Sequence, residues 1–269
     1  MKRGLSFSTL CLVAASVVNG ASAADLQVKA RNVPLAPVPS WTGCYFGANA
    51  GGVWGSASDS WAANPLPGAF NGSAFISANG SSTITGSSFV GGGQIGCNYQ
   101  AGLFVFGVEG DLDSSDLRGA RDFATLDFAF GLPRTFHSDF NERWLSTVRG
   151  RFGVTFGDSF VGNWFVYGTG GVAVANLSYT DTLLFPLAGI MDTASVSTTR
   201  AGYAAGAGIE LALSPNWSIR GEYLFVDILG PDSLLNNLPG EPLATVNATH
   251  ELKQHIGRAA LNYKFDWGP

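Results

Sequence analysis

Charge is scarce in this 269-residue chain, with Asp, Glu, Lys and Arg together making up 13% of it. Lys and Arg form no patch, and the formal net charge is −5. Phosphate backbones are bound by clustered cations, so a nucleic-acid partner is excluded. Only three histidines occur, His137, His250 and His255, scattered without ligand spacing, and no metal site is expected. No Gly-x-Ser-x-Gly elbow is present and nothing else assembles a catalytic constellation, so an enzyme is not expected. After the N-terminal segment no run of about 18 apolar residues exists, which excludes a membrane-spanning helix. A membrane-spanning barrel stays open, since its strands need only about 9–11 residues with alternate side chains apolar.

What is abundant points to β-structure. The chain is 46% hydrophobic, with 36 Gly, 19 Phe and 7 Trp. Gly weakens helices, and aromatic and β-branched residues fit pleated strands. Two stretches, GGGQIG at 91–96 and GTGGVA at 168–173, mimic dinucleotide-binding glycines. Such glycines work between a strand and a helix, and no helical pattern follows either stretch, so no cofactor is expected.

The first residues read as a signal peptide, 1–23: Lys2 and Arg3, then an apolar stretch from Leu10 to Val18, then Ala21-Ser22-Ala23 before a cleavage site. Cys11 sits inside the apolar stretch and follows Leu10, which is no lipidation signal. Residues 24–40, with Pro34, Pro37 and Pro39, read as an extended periplasmic segment, and 41–269 as one domain. Export leaves Cys44 and Cys97 in an oxidising compartment, either bridged or as two separate thiols.

From Trp41 onward eight Gly- and aromatic-rich segments recur, near 42–55, 86–99, 102–113, 142–156, 164–177, 199–213, 217–228 and 251–265. Short turns alternate with long polar connections at 56–85, 114–141, 178–198 and 229–250. That alternation predicts an all-β fold, an eight-stranded antiparallel up-and-down transmembrane β-barrel with periplasmic turns and external loops. The expected inner faces carry Glu109, Asp111, Glu210 and Glu222 against Arg149, Arg151, Arg220 and Arg258. A barrel of this size is only wide enough to be filled by side chains, so these charges are expected to interlock rather than line a channel. The fifth segment keeps phase poorly, because Tyr167 and Thr169 share a parity, and a bulge is expected there. His137 and His250 fall in the expected loops as solvated residues.

Aromatic girdles are expected where lipid meets water. Trp41, Tyr99, Trp164, Trp217 and Phe265 fall near periplasmic ends, Trp54 and Trp144 near external ends. If the first two strands pair so that residue numbers sum to 141, Phe46 meets Ile95, Trp54 meets Ser87, and Cys44 faces Cys97 as a candidate disulfide.

WTGCYFGANAGGVWG, GGGQIGCNYQ, VEGDL, YGTGGVA and ALNYKF, in that order after a Pro-rich start, resemble the small outer-membrane β-barrel proteins of alphaproteobacteria, the outer-membrane immunogenic, opacity-type, porin-like family. The resemblance covers about 24–265 and implies a location in the Gram-negative cell outer membrane, with structural and antigenic roles. One departure is that Phe265 is followed by Asp266-Trp267-Gly268-Pro269 rather than ending the chain. The function expected is envelope integrity and surface interaction. Partners would be outer-membrane lipid and lipopolysaccharide, the barrel-assembly machinery, and surface ligands at the four loops. A narrow porin for ions or small solutes is the alternative, and a lipid-modifying enzyme at the outer rim the remote one.

Overall fold

The computed structural model describes residues 40–64, 81–127, 132–157, 162–187, 189–235 and 245–265. The signal peptide, the Pro-rich segment up to residue 39 and Trp267 lie outside these. Eight strands follow in chain order: β1 (Gly43–Asn64), β2 (Ser82–Ala101), β3 (Phe104–Asp127), β4 (Leu132–Phe156), β5 (Asn163–Phe185), β6 (Ile190–Ala212), β7 (Trp217–Leu235) and β8 (Thr245–Phe265). Each pairs antiparallel with the next and β8 returns to β1, closing the barrel. Between β2 and β3, Gly102 takes φ +63°, a left-handed conformation that glycine adopts without a Cβ clash. This turn lies at the same end as the start of β1 and the end of β8, where Cys44 pairs with Phe265. That is the periplasmic end of an even-stranded barrel.

The β1–β2 register is the one expected: Phe46 opposite Ile95, Gly52 opposite Phe89, Trp54 opposite Ser87 and Cys44 opposite Cys97. Along the periplasmic half of each strand apolar side chains point outward. Phe89, Ile95 and Leu112 are 67%, 62% and 61% exposed, which only a lipid surround makes favourable. Polar residues on the opposite parity, such as Asn49, Glu109 and Thr147, are buried inside.

The strands are much longer than a bilayer requires, from 19 residues in β7 to 25 in β4. The long loops expected at 56–85, 114–141, 178–198 and 229–250 are therefore corrected. β3 and β4 are separated only by 128–131, and β5 and β6 only by 186–189. The reason is an inversion of polarity. Past Trp54 the β1 sequence still alternates, but Ala57 and Trp61 now point inward and are buried, while Ser58 and Ser60 point out and are exposed. A search for outward apolar residues stops where the bilayer stops, although the sheet continues.

The bulge expected in the fifth segment is absent from β5, whose pairing with β6 runs without interruption from Asn163 to Phe185. Tyr167 and Thr169 both face inward and are buried. Register shifts occur instead at Ser114/Leu117, at Glu142/Trp144 and at Leu229/Asp232, all near the level where the strands leave the apolar band.

Candidate functional site

The barrel interior is stacked in layers. Nearest the periplasm, Trp41 packs with Val105, Phe165 and Tyr167. Trp41 was expected in the lipid-facing girdle, and this is corrected: it is 6% exposed, its ring lies 5.4 Å from that of Phe165, and its Nε1 donates to Thr155 Oγ1 at 2.9 Å. The indole precedes β1 and turns into the bore, where Thr155 supplies the acceptor that a buried N–H needs. Of the other girdle residues, Trp54, Tyr99 and Trp217 are exposed, whereas Trp144, Trp164 and Phe265 are partly covered on the outer face.

Above Trp41 lie the eight charged residues read from the inner parity, together in one network. Arg149 is central: Nη2 donates to Glu109 Oε1 at 2.9 Å and Asp111 Oδ2 at 2.8 Å, Nη1 to Glu222 Oε1 at 3.2 Å, and Nε to Thr147 Oγ1 at 2.7 Å. Arg258 reaches Asp113 Oδ2 at 2.6 Å, Asp111 Oδ2 at 2.7 Å and Glu222 Oε2 at 2.9 Å. Arg151 donates to Glu210 Oε2 at 2.7 Å and stacks 4.0 Å from the centre of the Tyr167 ring, and Arg220 pairs with Glu109. The Arg149, Arg220 and Glu109 side chains have no exposed surface. Isolated charges could not be buried so completely; several charge-assisted hydrogen bonds at Arg149 and at Arg258 offset the desolvation, whereas Arg220 bonds through Nη1 alone and its Nε and Nη2 are buried without a partner.

Asp113 joins this network, so the acids outnumber the arginines by one. It shares the parity of Glu109 and Asp111, a signal that was available in the sequence. Two tyrosines complete it. Tyr45 OH donates to Glu109 Oε2 at 2.5 Å and Tyr167 OH to Glu222 Oε1 at 2.8 Å. A belt of amides adjoins: Asn49 Nδ2 donates to Gln94 Oε1 at 2.9 Å, Gln94 Nε2 to Asn262 Oδ1 at 2.7 Å, and Asn262 Nδ2 to Glu210 Oε1 at 2.8 Å. Cys44 and Cys97 form a disulfide near the periplasmic end, away from the network.

Farther out the interior becomes apolar, with Val53, Ile84, Leu117, Phe140, Leu224 and Ile256 in one cluster. Beyond the apolar band stands His250, which is corrected from a solvated loop residue to a buried one on β8. Its Nδ1 lies 2.7 Å from Asp59 Oδ1 and its Nε2 3.0 Å from Asp181 Oδ2, and its ring stacks 4.1 Å from that of Tyr179. With a carboxylate at each nitrogen the ring is held as imidazolium, and its pKa is raised to about 9 against the effect of burial. Burial raises the Asp59 carboxyl pKa too, and the facing imidazolium opposes that rise. His137 also sits on a strand, partly exposed, with Nδ1 2.6 Å from Asp122 Oδ1. Trp61 and Phe136, 5.2 Å apart, belong to an outermost apolar cluster with Leu183.

Residues 10–265 match the family described as outer membrane protein beta-barrel domain. The chain is similar to the 31 kDa outer-membrane immunogenic protein of Brucella melitensis biotype 1, 34% identical over 260 residues, covering 95% of this chain and 98% of the relative. It is also similar to the 22 kDa outer membrane protein of Rhizobium leguminosarum bv. viciae, at 27% identity over 76% of this chain and 72% of that protein. Among solved structures, OprG from Pseudomonas aeruginosa shares 11% identity over 83% of this chain and 96% of that one, with a TM-score of 0.41. The chain therefore belongs to the outer membrane protein beta-barrel family and resides in the cell outer membrane.

Proposed function

We propose that this protein is a non-enzymatic structural and surface barrel whose interior is closed to solutes. The observation that carries this is the complete burial of the Arg149–Glu109–Arg220 contacts in mid-bore. A conducting lumen needs charged walls that water can reach, whereas here all four guanidiniums are buried and each donates to at least one protein carboxylate. The apolar layer above the network adds a second barrier. The protein would then contribute to the envelope as a rigid lipid-embedded body, and its projecting end would be the part available to surface partners. The name of the Brucella relative, an immunogenic protein, fits a surface role.

Planar-bilayer recording on purified, heat-modifiable protein tests the closed interior. No steady unitary steps are expected from the wild type. Steady steps whose size changes in an Arg149→Ala variant would overturn the proposal and favour a narrow pore.

A further inference from the structure

On the outer wall, at the external rim of the lipid-facing band, a groove of about 510 Å³ crosses β8, β1 and β2. Trp54, Ser56, Thr85, Ser87 and His255 line it, with glycine backbone between them. The register explains why they meet. Trp54 pairs with Ser87 on one side and His255 on the other, and Ser56 lies opposite Thr85 one step outward along the same face. Beneath Trp54 are Gly52 and Gly257, where an added Cβ would meet the indole at 3.3 Å and 3.7 Å. The ring lies down over these two glycines, with half of the residue still exposed.

The polar groups around this platform are unspent. Among the described residues, the hydroxyls of Ser56, Thr85 and Ser87 make no hydrogen bond to another protein group. His255 Nδ1 lies 2.6 Å from Tyr223 OH. Its Nε2 makes no hydrogen bond among the described residues and is open to a ligand. Of the flanking cations, Lys253 on β8 pairs with Glu251 at 2.9 Å and Arg118 on β3 with Asp116, while Arg121 on β3 donates Nη1 to the Thr83 carbonyl at 3.2 Å, outside the groove.

A flat aromatic face beside hydroxyls and an imidazole nitrogen, with no Lys or Arg among the lining residues, suits the C–H face and hydroxyls of a sugar ring better than a phosphate. Below the groove the Trp54 ring covers Gly52 and Gly257 and the Phe89 ring stands against Gly91, so the outward face there is an apolar wall of two rings with Ala50 and Ala259 beneath them. We propose that this groove is a binding site for the sugar headgroup of an outer-leaflet glycolipid, whose acyl chains lie against that apolar wall. The level of the groove commits it to a membrane-anchored ligand, because the site begins where the apolar band ends.

The test reconstitutes the full-length protein in phosphatidylcholine vesicles with or without lipid A, re-extracts it in mild detergent and weighs it by native mass spectrometry. The expected result is one lipid A retained per wild-type barrel, with retention reduced about tenfold in Trp54→Ala and in Ser87→Tyr, which fills the groove while leaving the Trp54 platform in place. Trp217→Ala, at the periplasmic rim, should retain lipid A like the wild type. Lipid A stripped of its phosphates should be held equally well. Heat-modifiable mobility reports the folding of every variant, and Ser87→Tyr decides the matter if Trp54→Ala does not fold. Retention no better than that of phosphatidylcholine, undiminished retention by Ser87→Tyr, an equal loss in Trp217→Ala, or loss on dephosphorylation would each overturn the site.

Discussion

Tyr45 stands directly opposite Gly96 on neighbouring strands, and Tyr167 opposite Gly208. Each ring lies over the space its glycine leaves, which brings both phenol oxygens to the charged network and covers bare backbone. A Cβ at Gly96 would come within 2.5 Å of the Tyr45 hydroxyl, so Gly96→Ala must displace a residue bonded to Glu109. A loss of about 1–3 kcal/mol is expected from urea unfolding in detergent micelles. Gly221 faces outward with nothing within 4 Å of an added Cβ, and Gly221→Ala should change stability by less than about 1 kcal/mol. The comparison separates glycines that make room inside from glycines that merely face lipid. Glu109→Gln makes a harsher test of the same layer. It removes the carboxylate facing Arg149, Arg151 and Arg220, and a loss of about 3–5 kcal/mol is expected by the same measurement, because the guanidinium charges stay buried.

At the level of the element, each strand carries two opposite amphipathic patterns joined end to end. In the bilayer its apolar parity faces out, and beyond the bilayer its apolar parity faces in. Solvent explains both: lipid makes an exposed Phe favourable, whereas water demands that Trp61 and Phe136 be covered. The external part is therefore built like a soluble β-barrel, and its buried polar contacts include a fastening by His250 between Asp59 of β1 and Asp181 of β5. The folded pKa of His250, about 9, lies above its ordinary 6.5. The stabilisation is then fully present below about pH 6.5 and is lost as pH rises through 9. The urea midpoint of the wild type should fall between pH 7 and pH 10, and that fall should be much smaller in His250→Gln. Equal pH dependence in both proteins would show that the fastening does not govern this end.

For the whole molecule, the consequence is height. β1 runs ten residues past Trp54, to Asn64. At about 3.3 Å per residue and a tilt of about 40°, the barrel stands about 25 Å above the bilayer. Atomic force microscopy on reconstituted membranes should read a protrusion of that order, and a value below about 10 Å would refute it. Among the described residues, the outer face of this projecting wall carries Ser58, Ser60, Ser178 and Ser197.

Strand number, closure, the β1–β2 register and the inward set of Glu109, Asp111, Arg149, Arg151, Glu210, Arg220, Glu222 and Arg258 were all legible, since period-two alternation and turn spacing are local properties of a chain. So was the pairing partner of Cys44, once a register was chosen. Other features were not local. Trp41 looks like any interfacial tryptophan until Thr155 and Phe165 arrive from β4 and β5 to receive it. Asp59, Asp181 and His250 lie far apart along the chain, on strands whose polarity had reversed, and nothing near any one of them announces the other two. The sequence by itself determined which face of each strand is polar and how many strands close the ring. Only the tertiary structure decided where lipid gives way to water along them, because that boundary is set by the assembled barrel's surroundings and by contacts across its bore.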